Sequence, residues 1–457
     1  MSGPRLSRGV GRSFGLPLLL TLLALAGCAA REAAPVAADA PVSAPAAPAA
    51  APPQRMAPSL GGTGFGQQIA GAVHDHPALR AGASRVGAAA AAVEGERARL
   101  RPRVVLGGDA GVQLIGSGAS RGTPLLQVRQ LVFDGGEARA RQAAAEALLA
   151  GSRSDRLGIA AQLTLGAVEA SFVLDHERRL LALAEGNLRI HREFLAQIED
   201  RLEAGAGIEA DLLTARSRLA DATARSISAR SRLDRAEARY REVFGAATPP
   251  PRPTRPAPAL PAGDDATLIA TSPRMRSITA ELAAARASLA AAEAGRLPSV
   301  TVSLTGRRAS GGRASVGADV GLRYDLATGG ERSAGIRASA ARVAEIEADR
   351  NGLEREIARS LEVVRSDQRT GRERLAAARA ALAANEAAVQ GARAQFAVGR
   401  RSLTQLLDAQ RDLVNAAEAL AEAELDLALS GFAALALTGD ILNVFGIALS
   451  EVTDSGL

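Results

Sequence analysis

The sequence predicts an α+β fold made mainly of long α-helical coiled-coil hairpins, to which two pairs of β-strands are added. Three observations predict this fold. Leucine recurs every seventh residue along stretches without proline, two pairs of short segments alternate between apolar and polar residues, and the second half of the chain repeats the first at an offset of 194–196 residues. A sustained seven-residue repeat is typical of coiled coils, whereas alternation with a period of two indicates strands.

The first residues are typical of an exported protein. Three arginines precede an apolar run, residues 16–26, which is too short to cross a bilayer as a stable helix. This pattern is a secretory signal, and its end resembles a bacterial lipobox, in which a cysteine becomes the lipid-bearing first residue. Cys28 stands at that position and is the only cysteine of the chain. We therefore expect Cys28 to be lipidated; the simpler alternative is a small apolar residue near a cleavage site.

The charges and the histidines argue against two classes of function. The chain has 55 basic and 49 acidic residues, which are interspersed, and no aromatic–basic platform accompanies them. We therefore expect no nucleic-acid partner. His74 and His76 have a spacing that suits a metal, but no third ligand lies nearby, so we expect neither a metal nor another cofactor. We also find no catalytic set of nucleophile, base and acid, and we predict that the protein is not an enzyme.

Proline-rich segments divide the chain. One follows Cys28, and a second lies between the two halves, where it is expected to be extended and to take no part in a core. The expected organisation is a signal peptide (1–27), an Ala/Pro-rich tether (28–60), a first repeat (61–248), a Pro-rich linker (249–264), a second repeat (265–440) and a C-terminal tail (441–457).

Each repeat begins with an Ala-rich helix that breaks at a proline, and two strands follow. The predicted strands cover about residues 103–115 and 123–133 in the first half, and about 299–308 and 314–326 in the second. About ten residues is the length of a tilted strand that crosses a membrane. Four strands cannot close a barrel, and an open sheet edge is excluded from lipid. If these strands enter a membrane, several chains must therefore share one barrel.

A long helical hairpin completes each repeat. In the first half, leucines at steps of seven run from Leu174 to Leu202, and in the second half the same spacing runs from Leu375 to Phe396. Such a seam keeps facing a partner helix only if the helices supercoil. The arm that starts after Gly136 would be on the order of 100 Å long. Two similar stretches, AGAGIEADLLTAR at 204–216 and VGRRSLTQLLDAQ at 398–410, predict the hairpin turns at Gly205 and Gly399.

Across residues 65–445 the chain resembles the TolC-like family of outer-membrane efflux and secretion proteins. The matching features are the duplicated body, the FDGG junction at 133–136, the tip VGRRSLTQLLDAQRDLVNA and the closing ALTGDI. The resemblance implies a homotrimer in the outer membrane, with twelve strands in one β-barrel and a periplasmic helical tunnel. It also implies docking to a periplasmic adaptor and to an inner-membrane pump, which is an ABC transporter or is driven by protons. Phe133 and Tyr324 are expected at the periplasmic rim of the barrel.

The same resemblance suggests gating residues at the tip. Asp211 and Arg401 match positions where a charged contact between hairpins holds the mouth shut, and Asp408 matches a ring of carboxylates. Gln405 stands where a second acidic residue often lies, and Phe396 where an aromatic hydroxyl would join the contact. The alternative is that these charges are ordinary helix-terminal residues, since a carboxylate in a first turn is favoured by about 0.3–1 kcal/mol in any helix.

A second functional class is compatible with part of the pattern. A periplasmic adaptor lipoprotein also combines a lipobox with a coiled-coil hairpin, but it would carry one hairpin between compact β domains. Two hairpins and two strand pairs favour the duct. The cargo, whether a drug, a metal or a protein, does not follow from the sequence.

Overall fold

The computed structural model describes residues 56–109, 123–245, 257–260, 264–308 and 314–449. All of them belong to the second of two units into which the chain divides, residues 53–457. The predicted signal peptide, Cys28 and most of the predicted tether and linker lie outside the described residues.

The elements of the two halves correspond one to one. The first half contains α1 (Gly64–His74), α2 (Pro77–Ala98), β1 (Arg103–Asp109), β2 (Thr123–Phe133), α3 (Glu137–Glu203) and α4 (Glu209–Phe244). The second contains α5 (Asp265–Thr271), α6 (Pro273–Ala294), β3 (Ser299–Arg308), β4 (Ala314–Arg323), α7 (Glu331–Ala397) and α8 (Leu403–Thr438), followed by α9 (Asp440–Val444). Helices α2 and α6 have 22 residues each, α3 and α7 have 67, and α4 and α8 have 36. The predicted fold class, with long helical hairpins and four strands, is confirmed.

The hairpins pack through the predicted leucine seams. Helix α3 packs against α4, and α7 packs against α8, while α3 also contacts α2, α6 and α8. Leu174 and Leu188 are buried in this packing. An ion pair between Arg179 of α3 and Glu424 of α8, 2.7 Å long and half-buried, joins the two hairpins part of the way along their length. One stretch of α3 is apolar enough to cross a bilayer by length and composition, and 44% of that stretch is buried inside the protein.

The junction between strand and helix depends on the FDGG segment. The carboxylate of Asp134 accepts hydrogen bonds from the amides of Gly136 at 3.0 Å and Ala138 at 2.7 Å, so it caps the first turn of α3. Gly135 has a φ of +69°, and a Cβ at this position would lie 2.6 Å from the Leu297 side chain. Both the backbone conformation and the close approach therefore require glycine.

The four strands form one antiparallel sheet in the order β1-β2-β3-β4. β4 ends at Arg323 and not at residue 326 as predicted, because Arg323 pairs with Ser299, the first residue of β3, and the chain beyond it has no partner strand. Strand β1 is described only as far as Asp109, so residues 110–115 of its predicted length lie outside the described residues. Phe133 and Tyr324 are both exposed and lie at the same end of the sheet, next to the helices.

The two faces of the sheet differ in polarity. Strand register and the alternation of side chains place ten of the larger aliphatic residues on one face, which we call the apolar face and which also carries Gln130 and, at the far end of β3, Arg308. They are Val104, Leu106, Leu126, Val128, Val300, Val302, Leu304, Val316, Val320 and Leu322. The opposite face, which we call the polar face, includes Arg103, Gln127, Arg129, Ser303, Thr305, Arg307, Asp319 and Arg323. Leu106 is 79% exposed and Val320 is 74% exposed, so the described residues of a single chain leave much of the apolar face uncovered.

The largest hydrophobic core lies where α1, α3, α8 and α9 meet. Phe432 and Phe445 are almost fully buried there, and Phe65 packs edge-on against Phe445 with ring centroids 5.8 Å apart. This core anchors the hairpins at one level, so the tip residues are held on two long arms that extend from a packed base.

Candidate functional site at the hairpin tips

Each hairpin turns at a glycine with left-handed backbone geometry. Gly205 has a φ of +71° and Gly399 has a φ of +73°. The returning helix α8 begins with a capping box, in which the Ser402 hydroxyl accepts from the Gln405 amide and the Gln405 side-chain oxygen accepts from the Ser402 amide, both at 3.3 Å. The side chain of Gln405 is therefore engaged in starting a helix. Helix α4 begins after Ile208 without a side-chain cap.

A hydrophobic cluster joins the two hairpins just inside the turns. We call it the tip cluster; its buried members are Phe194, Ile198, Ala215, Ala392, Phe396, Leu403, Leu406 and Leu407. These residues come from all four hairpin helices, α3, α4, α7 and α8. Separating the two hairpins of one chain would expose this apolar surface, so the cluster holds the two tips together.

Arginines surround the tip cluster. The guanidinium of Arg201 lies 4.5 Å from the centroid of the Phe396 ring, and that of Arg393 lies 5.7 Å from the centroid of Phe194. Both distances suit cation–π contacts. Arg393 also donates a hydrogen bond to the buried Gln410 at 3.2 Å. Phe396, which has no hydroxyl to offer, is therefore held by packing and by the face of its ring.

Asp408 makes ion pairs within the chain. Its carboxylate lies 3.7 Å from the guanidinium of Arg218 in α4 and 3.5 Å from that of Arg411 in α8. Arg218 was not singled out from the sequence, because it is one of many arginines and no spacing marks it as the partner of a residue in the other hairpin. The pair with Arg218 ties one hairpin to the other beside the tip cluster.

Asp211 and Arg401 are half-buried and lie close to the two turns. Asp211 is in the first turn of α4, and its backbone amide donates to the Ile208 carbonyl at 3.1 Å. Within the described part of the chain, no ion pair joins Asp211 to Arg401, so a single chain does not contain the contact between them.

A histidine in the tip region was not singled out from the sequence either. His191 is buried, and its ring lies edge-on to Phe194 with centroids 6.3 Å apart. Burial lowers the pKa of His191, and the nearby Arg218 lowers this pKa further. The imidazole therefore packs as a neutral ring at pH 7. A histidine on an otherwise charged helix carries no sequence signal of burial, so the burial of His191 could not be predicted from the sequence.

The other candidates for ligand binding have structural roles in the described residues. The Nδ1 atom of His76 accepts a hydrogen bond from the amide of Ala78 at 3.1 Å and so caps α2, while His74 ends α1. Within the described ranges, no group of three or more potential ligands is arranged to hold a metal ion.

Three comparisons place this fold among known proteins. The model of the family described as outer membrane efflux protein matches residues 69–246 and 266–439, together more than half of the chain. The outer membrane efflux protein BepC of Brucella suis is 28% identical over 330 residues, which cover 70% of this chain and 72% of BepC. Two solved structures share the fold. OprN, an outer-membrane channel, has a TM-score of 0.75 at 23% identity and matches 84% of this chain and 93% of its own. The CmeC outer membrane channel of Campylobacter jejuni has a TM-score of 0.72 at 15% identity and matches 85% of this chain and 87% of its own.

Proposed function

The chain belongs to the outer membrane efflux protein family, and from this premise we propose that it forms the outer-membrane exit duct of a tripartite efflux system. Three copies form a passive conduit, to which an adaptor and an inner-membrane pump connect on the periplasmic side. The pump supplies the energy, and this chain has no catalytic task. The alternative of a periplasmic adaptor lipoprotein is not supported, because the family match covers both repeats and the matched proteins are named as efflux proteins and channels.

The observation that carries the proposal is the open sheet with one apolar face. Among the described residues, β1 and β4 each have a partner strand on one side only, so this part of a single chain forms a sheet with two unpaired edges. Lipid tolerates the apolar face but excludes unpaired backbone groups, so the edges need strands of other copies. Three chains supply twelve strands, which exceeds the roughly eight needed to close a barrel.

The test is the assembly and conductance of the purified protein. We expect detergent-solubilised protein to have the mass of a trimer and, in planar lipid bilayers, to open ion-conducting channels. A monomer that remains soluble without detergent and gives no conductance would contradict the proposal.

At the tip we propose a contact between neighbouring chains. Asp211 and Arg401 are half-buried near the turns and form no ion pair with each other within one chain, which leaves both side chains available to an adjacent copy. A ring of three such contacts would narrow the mouth of the tunnel until an adaptor separates them. Phe396 has no hydroxyl and so adds no hydrogen bond to this contact, which is therefore weaker.

Replacing Arg401 should weaken this closure. In bilayers we expect Arg401→Ser to raise the conductance and open probability of the channel, because each of the three mouth contacts loses its cation. The matched control is Arg400→Ser, which removes the same charge from the neighbouring, exposed position. Equal conductance of the Arg401 variant and the parent would contradict the closure, as would an equal increase in the Arg400 variant.

We propose that the Asp408 side chains of three copies form a carboxylate ring whose net negative charge is reduced. Three copies would bring three carboxylates to the mouth, but Arg218 and Arg411 balance part of each charge. We expect Asp408→Asn to lower block of the channel by multivalent cations by a few-fold, as measured by titration of a trivalent cation. If the block by the trivalent cation is unchanged, Asp408 does not face the mouth of the pore.

We also propose that the protein is lipid-anchored at Cys28. The support is the apolar run that ends at this cysteine and the absence of any other cysteine in the chain. Metabolic labelling with a radioactive fatty acid tests this proposal, since the parent should incorporate label and Cys28→Ser should not.

A further inference from the structure

The polar face of the sheet carries an excess of positive charge. Among the strand residues whose side chains the structure describes, it holds four arginines and one aspartate; the arginines are Arg103, Arg129, Arg307 and Arg323. Arg103 pairs directly with Arg129, Arg129 with Ser303, and Ser303 with Asp319, so these four residues form one row across the sheet. We call it the arginine row.

The like charges at the start of this row are not compensated by an ion pair among the described residues. Directly opposed like charges destabilise a sheet, and neither Arg103 nor Arg129 forms an ion pair with another described residue. Such an arrangement costs stability without a gain in packing, since both side chains are exposed. An anion that approaches this face would supply the missing countercharge.

A cavity borders the arginine row at the end of the sheet next to the helices. It has a volume of about 820 Å³, and its lining includes Arg103, Arg129, Ser299 and Thr301. All four residues belong to the polar face by strand register. Residues of α2 and α3 complete the lining, so the cavity lies between the polar face and the ends of these helices.

The acidic residues of the cavity already have partners. Asp134 accepts from the amides of Gly136 and Ala138, and Glu137 is paired with Arg141. The carboxylates therefore leave the guanidinium groups of Arg103 and Arg129 free to bind a ligand. Guanidinium forks and hydroxyl donors together match the oxygens of a carboxylate or a phosphate.

The location of this cavity in a pore rests on the proposed function. If the apolar face meets lipid, the polar face lines the lumen, as in other membrane barrels. Each chain contributes two arginines and one aspartate to the row, so three chains contribute six arginines and three aspartates. Because barrel strands tilt by about 35–45°, the three rows run obliquely around the wall. The charge density of the wall is positive at the level where the barrel joins the helices.

We propose that the arginine row is an anion-binding site of the pore, with Arg103 and Arg129 as its principal ligands. The pore then favours anions over cations, and the solutes that it conducts best carry a carboxylate or a phosphate group. Rings of basic side chains produce this preference in anion and phosphate pores. Asp319 opposes the preference and limits how tightly an anion is held, so that bound solutes can leave.

The preference is measured as a reversal potential in planar bilayers under a tenfold gradient of potassium chloride. We expect the parent to prefer chloride. Arg129→Gln and Arg103→Gln each remove three charges from the trimer, and one unit charge about 8 Å from a permeating ion in water changes the local concentration of that ion by about two- to threefold. Each variant should therefore lower the chloride-to-potassium permeability ratio by about tenfold. Arg129→Lys keeps the charge and should keep the ratio, whereas Asp319→Asn should raise it by a similar factor.

Binding of the oxyanion is measured separately with inorganic phosphate. We expect phosphate on one side to reduce the chloride current of the parent, and this block to disappear in the double variant Arg103→Gln/Arg129→Gln. A double variant with unchanged selectivity, or with unchanged phosphate block, would overturn the anion site. If the protein conducts ions but gives one of these results, only the anion site is contradicted and the proposed duct still stands. A protein that never conducts would contradict the proposed function and with it the anion site.

Discussion

Replacing Leu304 by arginine is expected to abolish assembly of the membrane barrel. Leu304 lies near the middle of β3 on the apolar face, where its neighbours across the sheet are Val128 and Ala318. An arginine on the lipid face costs about 2–4 kcal/mol at the centre of the bilayer, and each trimer would contain three copies. A cost of this size approaches the total stability of an ordinary domain, which is about 5–15 kcal/mol.

The measurement is trimer formation in detergent extracts, because the proposed lipid anchor at Cys28 would hold even an unassembled chain at the membrane. Thr305→Arg is the matched control. Thr305 is the next residue, but it belongs to the polar face and pairs with Gln127 and Gly317. We expect the Thr305 variant to form trimers like the parent and only to change conductance. If the Leu304 variant also formed trimers in normal yield, the apolar face would not be the face that meets lipid.

Replacing Leu406 by alanine is expected to loosen the tip. Leu406 is 1% exposed within the tip cluster. Truncation of a fully buried leucine costs about 2–5 kcal/mol, the range depending on how far the site can collapse around the cavity. The turns at 204–208 and 398–402 lie at the far ends of two long arms, so we expect local opening of the tip before the rest of the chain unfolds.

Limited proteolysis measures this opening as the rate of cleavage at the two turns. We expect faster cleavage in Leu406→Ala and an unchanged rate in Leu213→Ala, since Leu213 is 59% exposed in the same part of the molecule. An exposed substitution of this kind usually changes stability by less than about 0.5 kcal/mol. Equal rates in the two variants would mean that the tip cluster does not hold the hairpins together.

The elements themselves could be predicted because their signals are local and periodic. The seven-residue steps from Leu174 to Leu202 and from Leu375 to Phe396, in stretches without proline, predicted long helices, and α3 and α7 contain these runs. Proline and paired glycines mark the points where helices give way to strands, because these residues restrict or enlarge the choice of backbone geometry. The end of β4 was predicted three residues too late, because a strand ends where its partner ends, and the partner belongs to another stretch of sequence.

What the sequence determined by itself was thus the set of elements, their duplication and the alternation that makes one face of each strand apolar. Only the tertiary structure decided which charges meet: Asp408 with Arg218 across two hairpins, and Arg103 beside Arg129 across β1 and β2. The physical reason is that periodicity reports how one segment divides its surface between core and solvent, whereas an ion pair or a row of arginines depends on the register between segments. That register is set by packing and backbone hydrogen bonds along the whole contact, and it cannot be predicted from any single residue.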